Sequence, residues 1–287
     1  MVESIINSAL PSTADAVIIA APYDATSSFG KGADRAPQVI RDCLDNQVEL
    51  YDRVSQGVPA ARWTIAWENS GDVSALAPEE MVTQLAEVYS RYASAFRVIV
   101  GGEHSVTNAP LRVLAESAHE TTVLQIDAHA DLRPDDSDYN DAPHGRFAHC
   151  SVMRRAHELG YRIVQVGVRA YADFERELFN GEGITTWEWG PTPPSIGEIA
   201  DSIRTENVYL TLDVDGIDPS VMPATGTPVP GGLDWYTTIE LLRAVATRHR
   251  LVGADVVEVC PQSGNQVTEY AAAQLVYSLI GLALRDR

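Results

Sequence analysis

The chain has 287 residues, 45% of them hydrophobic and 21% charged, with a formal net charge of −19. That balance is ordinary for a globular protein able to bury a core of normal size. Its acidity argues against nucleic acid or an anionic membrane surface as partner; it suits a cationic small molecule, although solubility alone also accounts for it.

Short apolar runs alternate along the chain with amphipathic ones. DAVIIAAP (15–22) reads as a buried strand and is followed by helical patterns at 34–46 and 78–94. FRVIVGG (96–102) reads as the next strand, then a helix over 107–118, then the strand TVLQID (122–127). LRPDDSDYNDAPHGRF (132–147) is polar and rich in Asp, Pro and Gly, which predicts a surface loop. A helix over 151–160, the strand RIVQVGV (162–168), helices over 171–180 and 195–204 and the strand VYLTLDVD (208–215) come next. The Pro/Gly-rich loop GIDPSVMPATGTPVPGG (216–232) leads to a helix over 234–248, the strand VGADVVEV (252–259) and a last helix over 269–285. Strands apolar on both faces, alternating with helices, predict an α/β fold with a mostly parallel sheet covered by helices. No repeat, low-complexity segment or linker interrupts the pattern, so a single domain over 1–287 is the simplest reading.

Cys43, Cys150 and Cys260 are odd in number and far apart, which makes neither a disulfide framework nor a CxxC zinc clamp. A reducing, cytoplasmic setting is the default expectation. No basic start with an apolar run marks a signal peptide, and no apolar stretch approaches the ~18 residues of a membrane span.

The chemistry gathers at four strand ends, the side where open α/β sheets bind ligands. VGGEHS (100–105) carries His104; DAHAD carries Asp127, His129 and Asp131; LDVDGIDP (212–219) carries Asp213 and Asp215; VEVCP (257–261) carries Glu258. Alternate residues of an extended segment share a face, so each alternating cluster would aim its acids one way. Carboxylates crowded together repel and desolvate one another unless a positive group lies between them. Each residue alone is more economically a turn, a cap or a satisfied histidine, and Glu103 and Asp218 read as structural. Their coincidence points to metal. Two imidazoles and four carboxylates exceed what one structural zinc takes; mixed N/O donors suit Mn, Fe, Co or Zn; and shared carboxylates suit two ions ~3.5–4 Å apart that activate water.

GGEHS, DAHAD, LDVDGIDPS…PATGTPVPGG and VEVCP, in this order and at these separations, resemble the motifs of the ureohydrolases, the family of arginase and agmatinase. APYDATSSFGKGADRAPQVIR (21–41) and AHCSVMRR (148–155) resemble its agmatinase branch, and the likeness covers nearly the whole chain. The resemblance implies a three-layer αβα fold, a trimer or hexamer, and two Mn²⁺ per chain. One ion would be held by His104, Asp127, Asp131 and Asp213, the other by Asp127, His129, Asp213 and Asp215, with Asp127 and Asp213 bridging. It also implies a catalytic set of His149, Asp131 and Glu258, and cleavage of a guanidino C–N bond. Glu258 would pair with the guanidinium. A histidine would protonate the leaving amine; His149 in AHCSV fits the family pattern better than His144 in PHGRF. His119, His157 and His249 fall in helical patterns and read as surface residues.

The substrate's tail is the least legible part. The loop 132–147 carries Asp135, Asp136, Asp138 and Asp141, flanked by Arg133 and Arg146. Excess negative charge favours a cationic tail, with Asp135 and Asp136 as contacts, hence agmatine cleaved to putrescine and urea. A solvated acidic loop, or arginines serving a carboxylate tail, remain open. Guanidinobutyrase, arginase or formimidoylglutamase activity is the nearest alternative. A metallophosphoesterase, which also uses Asp-x-His, would normally show a Gly-Asn-His-[Asp/Glu] strand end that is absent here. A non-catalytic member of the fold is the third possibility.

Overall fold

The structure, a computed structural model, describes residues 4–285. Its strands are β1 (Ala16–Ala21), β2 (Ile65–Asn69), β3 (Phe96–Gly101), β4 (Thr121–Ile126), β5 (Arg162–Val168), β6 (Ile184–Glu188), β7 (Asn207–Asp213) and β8 (Arg250–Val257). They form one eight-stranded sheet in the order β2-β1-β3-β8-β7-β4-β5-β6, with every pairing parallel. The helices are α1 (Ala36–Asn46), α2 (Pro59–Arg62), α3 (Pro78–Ser90), α4 (Asn108–Val113), α5 (Val152–Glu158), α6 (Asp173–Arg176), α7 (Ile196–Ser202), α8 (Trp235–Arg248) and α9 (Val267–Leu284).

The strand period of two decides which helix covers which face. Ile18, Val98, Val100, Leu124, Ile126, Leu210 and Leu212 point one way and pack with α1, α7, α8 and α9. Val17, Ile19, Ile99 and Val123 point the other way and pack with α3, α4 and α5. Both faces of the central strands are therefore apolar, and the result is the three-layer αβα arrangement. Truncating a core residue such as Leu124 or Leu210, neither exposed to solvent, to Ala costs about 2–5 kcal/mol in such packing. Among the described residues α9 is the one helix long and apolar enough to cross a membrane, at mean hydropathy 1.3, and 78% of it is buried inside the fold. Its all-round apolarity is that of a core helix.

Six strands and most helices lie within two residues of their predicted ends. β2 and β6 escape prediction because both are short sheet edges, half-buried and polar at one end. The helix predicted over 171–180 shrinks to α6, and that over 107–118 breaks at Leu114 into α4 and a 3-10 segment, Ala115–Glu120.

Candidate metal centre and active site

β3, β8, β7 and β4 are consecutive neighbours in the sheet, and they are the four strands that end in the charged motifs. After β3, Gly102 packs so tightly that a Cβ there would strike the Tyr23 carbonyl. The chain turns into a 3-10 segment, His104–Thr107, whose cap Glu103 accepts the Ser105 amide at 2.8 Å.

The two acidic clusters are built alike, and not by strand pleating. β4 stops at Ile126 and β7 at Asp213. Asp127 folds back to accept the His129 amide at 2.6 Å, and Asp213 accepts the Asp215 amide at 2.8 Å. These are Asx turns, in which an aspartate caps the amide two residues on. They lock together: Asp215 Oδ1 accepts the Ala128 amide at 3.0 Å, and a Cβ on Gly216 would lie 2.6 Å from the Asp127 nitrogen. Asp131 and Glu258 adopt left-handed φ values of 51° and 65°. Non-glycine residues are costly there, and such strain persists where the surroundings impose it, often at functional sites.

His104 Nδ1 lies 3.1 Å from Asp127 Oδ2, 3.0 Å from Asp131 Oδ2 and 3.3 Å from Asp213 Oδ2. His129 Nδ1 lies 3.0 Å from Asp215 Oδ2 and 3.6 Å from Asp127 Oδ1. Two donor groups result, His104/Asp127/Asp213 and Asp127/His129/Asp215, each with its donor atoms within 4.8 Å of one another and with Asp127 in both. Asp131 joins the His104 group through that imidazole. Asp213, for which the resemblance implies bridging, falls in the His104 group alone.

These residues fit a pair of divalent cations. Asp127, Asp131, Asp213 and Asp215 are all buried, and none of the four carboxylates is paired with a Lys or Arg among the described residues. Their four formal charges are what two divalent ions would neutralise. Burial and the neighbouring Asp215 and Asp127 push Asp213 well above the carboxylate range, and burial with the Asp127 charge pushes Asp131 up to about 7. Burial opposes a charged His104, yet the facing carboxylates of Asp127, Asp131 and Asp213 outweigh it and push its pKa well above the usual histidine range.

The orientation of His104 also fits a metal ligand. Its Nε2 meets Thr211 Oγ1 at 2.8 Å, and Thr211 donates its hydroxyl proton to Asp255 Oδ1 at 2.6 Å. Asp255 is buried and also accepts from Thr107 and Tyr209. With its one proton committed, Thr211 must accept from Nε2–H. That tautomer leaves the Nδ1 lone pair facing three carboxylates, a buried atom that satisfies no hydrogen bond. A metal-ligating histidine oriented through its other nitrogen has this form.

A cavity of about 300 Å³ reaches the cluster, with His129, Asp131 and His149 among its lining residues. Thr26 donates to the buried Glu103 at 2.8 Å, accepts the His149 amide at 3.0 Å, and sits 3.3 Å from His149 Nδ1. Thr26 therefore accepts from Nδ1–H and leaves Nε2 free. Burial, then repulsion by His129 and His104, hold His149 down to about 4, a neutral imidazole at pH 7. His144 does not line the cavity; it bonds Asp136 in the loop. Glu258 accepts the His104 amide with one oxygen at 2.8 Å, and the other oxygen is engaged by none of the described residues. Burial and the Glu103 charge push Glu258 well above its usual range.

The two aspartates expected at the substrate's tail lie elsewhere. Asp136 turns into its own loop, accepting the His144 and Gly145 amides and the Asn140 side chain. Asp135 caps Ser137, and neither lines the cavity. Arg133 does line the cavity, with its guanidinium over Tyr139 and Phe174, but it is paired with Asp138 and approaches Glu175. Arg146 pairs with Glu158. Of the remaining histidines, His119 is exposed and His157 caps the Glu182 carbonyl, whereas His249 is half-buried at the end of α8. Glu103 and Asp218 bond within their loops, as their positions predict, and Glu103 also anchors Thr26. Thr26, Thr211 and Asp255, which hold His149 and His104 by hydrogen bonds, are the residues that motif reading misses. Only Asp255 carries a signal, a lone acid inside an apolar strand.

A family model described as the arginase family matches residues 14–281. The chain is 35% identical to the N(1)-aminopropylagmatine ureohydrolase of Synechocystis over 95% of its length and 91% of that protein's. It is 33% identical to the agmatinase of Pyrococcus horikoshii over 95% and 93%. The structure superposes on the proclavaminate amidinohydrolase of Streptomyces clavuligerus with a TM-score of 0.82 at 26% identity, covering 100% of this chain and 98% of that one. With the αβα sheet, the twin acidic turns and these likenesses together, the chain belongs to the arginase family of ureohydrolases.

Proposed function

We propose that this chain hydrolyses the guanidino group of a linear guanidine with a cationic tail, agmatine or its N1-aminopropyl derivative, to urea and the corresponding amine. The observation that carries the reading is the convergence of His104, Asp127, Asp131, His129, Asp213 and Asp215 into two donor groups, with His129 and Asp131 lining the same cavity as His149. Mixed N/O donors of this kind suit Mn²⁺, and two such ions would lower the pKa of bound water enough to supply a nucleophile at neutral pH.

The chain's own groups do the rest. Glu258, with one oxygen unengaged, accepts from the guanidinium and orients it by a charge-assisted contact. Neutral His149 takes a proton at Nε2 from the attacking water and returns it to the departing nitrogen, while Thr26 and Glu103 hold the ring. The cavity favours an amine tail because Arg133 is already balanced by Asp138 and Glu175, so a carboxylate tail finds no free cation there. The two relatives named above are an aminopropylagmatine ureohydrolase and an agmatinase, which supports the same class. We take the enzyme to act in a reducing, cytoplasmic setting as a homotrimer or hexamer.

Urea release from agmatine, N1-aminopropylagmatine, 4-guanidinobutyrate and arginine after Mn²⁺ loading tests this reading. The amine-tailed pair is expected to exceed the other two in kcat/KM by at least about 100-fold, the value of one buried ionic mismatch. Turnover of guanidinobutyrate alone would overturn it.

A further inference from the structure

A second and larger cavity, about 1040 Å³, shares no lining residue with the catalytic one. It opens between α1, the start of α8 and the start of α9, and its walls include Asp42, Cys43, Trp235, Glu269 and Tyr270. No Lys or Arg lines it.

Glu269 is the anomaly. Its side chain is 5% exposed, and its Oε2 is buried with no hydrogen-bond partner. Its hydrogen bonding is to its own backbone amide in the first turn of α9. A buried carboxylate oxygen left without a donor destabilises the fold, and nothing in the catalytic centre uses it. Burial, then the charges of Glu269 and Asp42, push the Cys43 thiol up, so both carboxylates bear on the same wall. Asp42 is exposed, and the Gln38 amide reaches only its Oδ1. Two aromatic rings complete the cavity: Trp235 is half-buried and Tyr270 is 37% exposed.

A carboxylate held without a partner in an acidic, aromatic-walled cavity lacks a cation with a hydrocarbon body. We propose that this cavity is a second ligand site, for an aliphatic ammonium compound whose nitrogen meets Glu269 and Asp42 and whose chain lies against Trp235 and Tyr270. A hydrated metal ion would gain nothing from the aromatic walls. An alkylammonium is attracted to both the carboxylates and the ring faces. The site is separate from the chemistry, so occupancy there can respond to amine concentration while the catalytic cavity turns over.

The test is calorimetric titration of the Mn-loaded enzyme with 1,4-diaminobutane, and with 1,4-butanediol as the uncharged control. Wild type is expected to bind two diamines per chain, one of them competing with guanidine substrate, and to bind no diol. Glu269→Gln should weaken the non-competing site at least about tenfold. It should leave the competing site and basal kcat unchanged, and it should raise the melting temperature because an unpaired buried charge is gone. Asp42→Asn, at an exposed position that cannot damage the fold, should weaken the same site several-fold. Identical two-site titrations in wild type and both variants would refute the proposal. So would a single, substrate-competitive site in wild type. A third refuting result is that Glu269→Gln weakens association between copies in sedimentation while wild type binds no second diamine, since a basic side chain of another copy would then be the occupant. Failure of the guanidinase reading leaves the test intact, because the second site is read as heat and not as turnover.

Discussion

The Asp255→Asn substitution tests the architecture of the proposed metal centre most directly. Asp255 touches no substrate; it accepts hydrogen bonds from Thr211, Thr107 and Tyr209 and acts on the centre only through His104. An asparagine amide turned toward Thr211 would donate where the carboxylate accepts. Thr211 would then spend its proton on His104 Nε2, and the imidazole would carry its own proton on Nδ1, the atom that lies 3.0–3.3 Å from three carboxylate oxygens. A protonated Nδ1 cannot ligate. Losing the partner that orients a ligating histidine typically costs 10–100-fold in metal affinity, about 1.4–2.7 kcal/mol. The lower end applies if Asn flips its oxygen toward Thr211 and strands its amide near Thr107 and Tyr209. Calorimetric titration of the metal-free protein with Mn²⁺ should show two binding events in wild type. In the variant only the event assigned to the His104 group weakens by that factor, because the Thr211–Asp255 chain reaches His104 and not His129. Thr211→Val should act in the same direction by leaving Nε2–H buried and unpaired. If Asp255→Asn binds both ions within twofold of wild type while remaining folded by circular dichroism, the tautomer argument is wrong.

Thr26→Val removes the hydroxyl that joins His149 to Glu103; kcat should fall about 10- to 100-fold, part of what a positioned acid–base contributes, with KM within a few-fold and Thr26→Ser restoring most of it. Glu258→Gln should lower kcat/KM by about 10- to 150-fold, the worth of a hydrogen bond to a charged group, and an unchanged value would remove Glu258 from guanidinium binding. In Asp136, burial opposes ionisation, but bonds from His144, Asn140 and Gly145 outweigh it and hold the carboxyl down to about 2. Because the folded value lies below the unfolded value of about 3.9, Asp136 stabilises the loop above that pH and loses the contribution as pH falls toward 2. Asp136→Ala should therefore lower the melting temperature clearly more at pH 6 than at pH 2.5, leaving kcat/KM within about twofold; an equal loss at both pH values would contradict the assignment.

Amino-acid order alone determined a good deal. Short, near-continuous apolar runs separated by amphipathic stretches point to a parallel sheet between helix layers, because that arrangement buries both faces of strands such as VLQI and LTLD. Crowded carboxylates at strand ends point to a positive group between them, because like charges in a buried place repel and desolvate one another. What order could not show is adjacency. The Glu258 side chain bonds the His104 amide across 154 residues of sequence, and only the strand order β3-β8-β7-β4 brings the four motifs side by side. The alternation in DAHAD suggested a shared strand face. The fold instead uses a pair of interlocked Asx turns, because the strand ends where the aspartates must cap amides. The polar loop likewise hid which acids face the cavity: Asp135 and Asp136 serve their own backbone, since a long loop must satisfy its amides before it can serve a ligand. Thr26 and Thr211 were invisible for the same reason. A hydroxyl is generic in sequence, and its role comes entirely from which carboxylate takes its one proton.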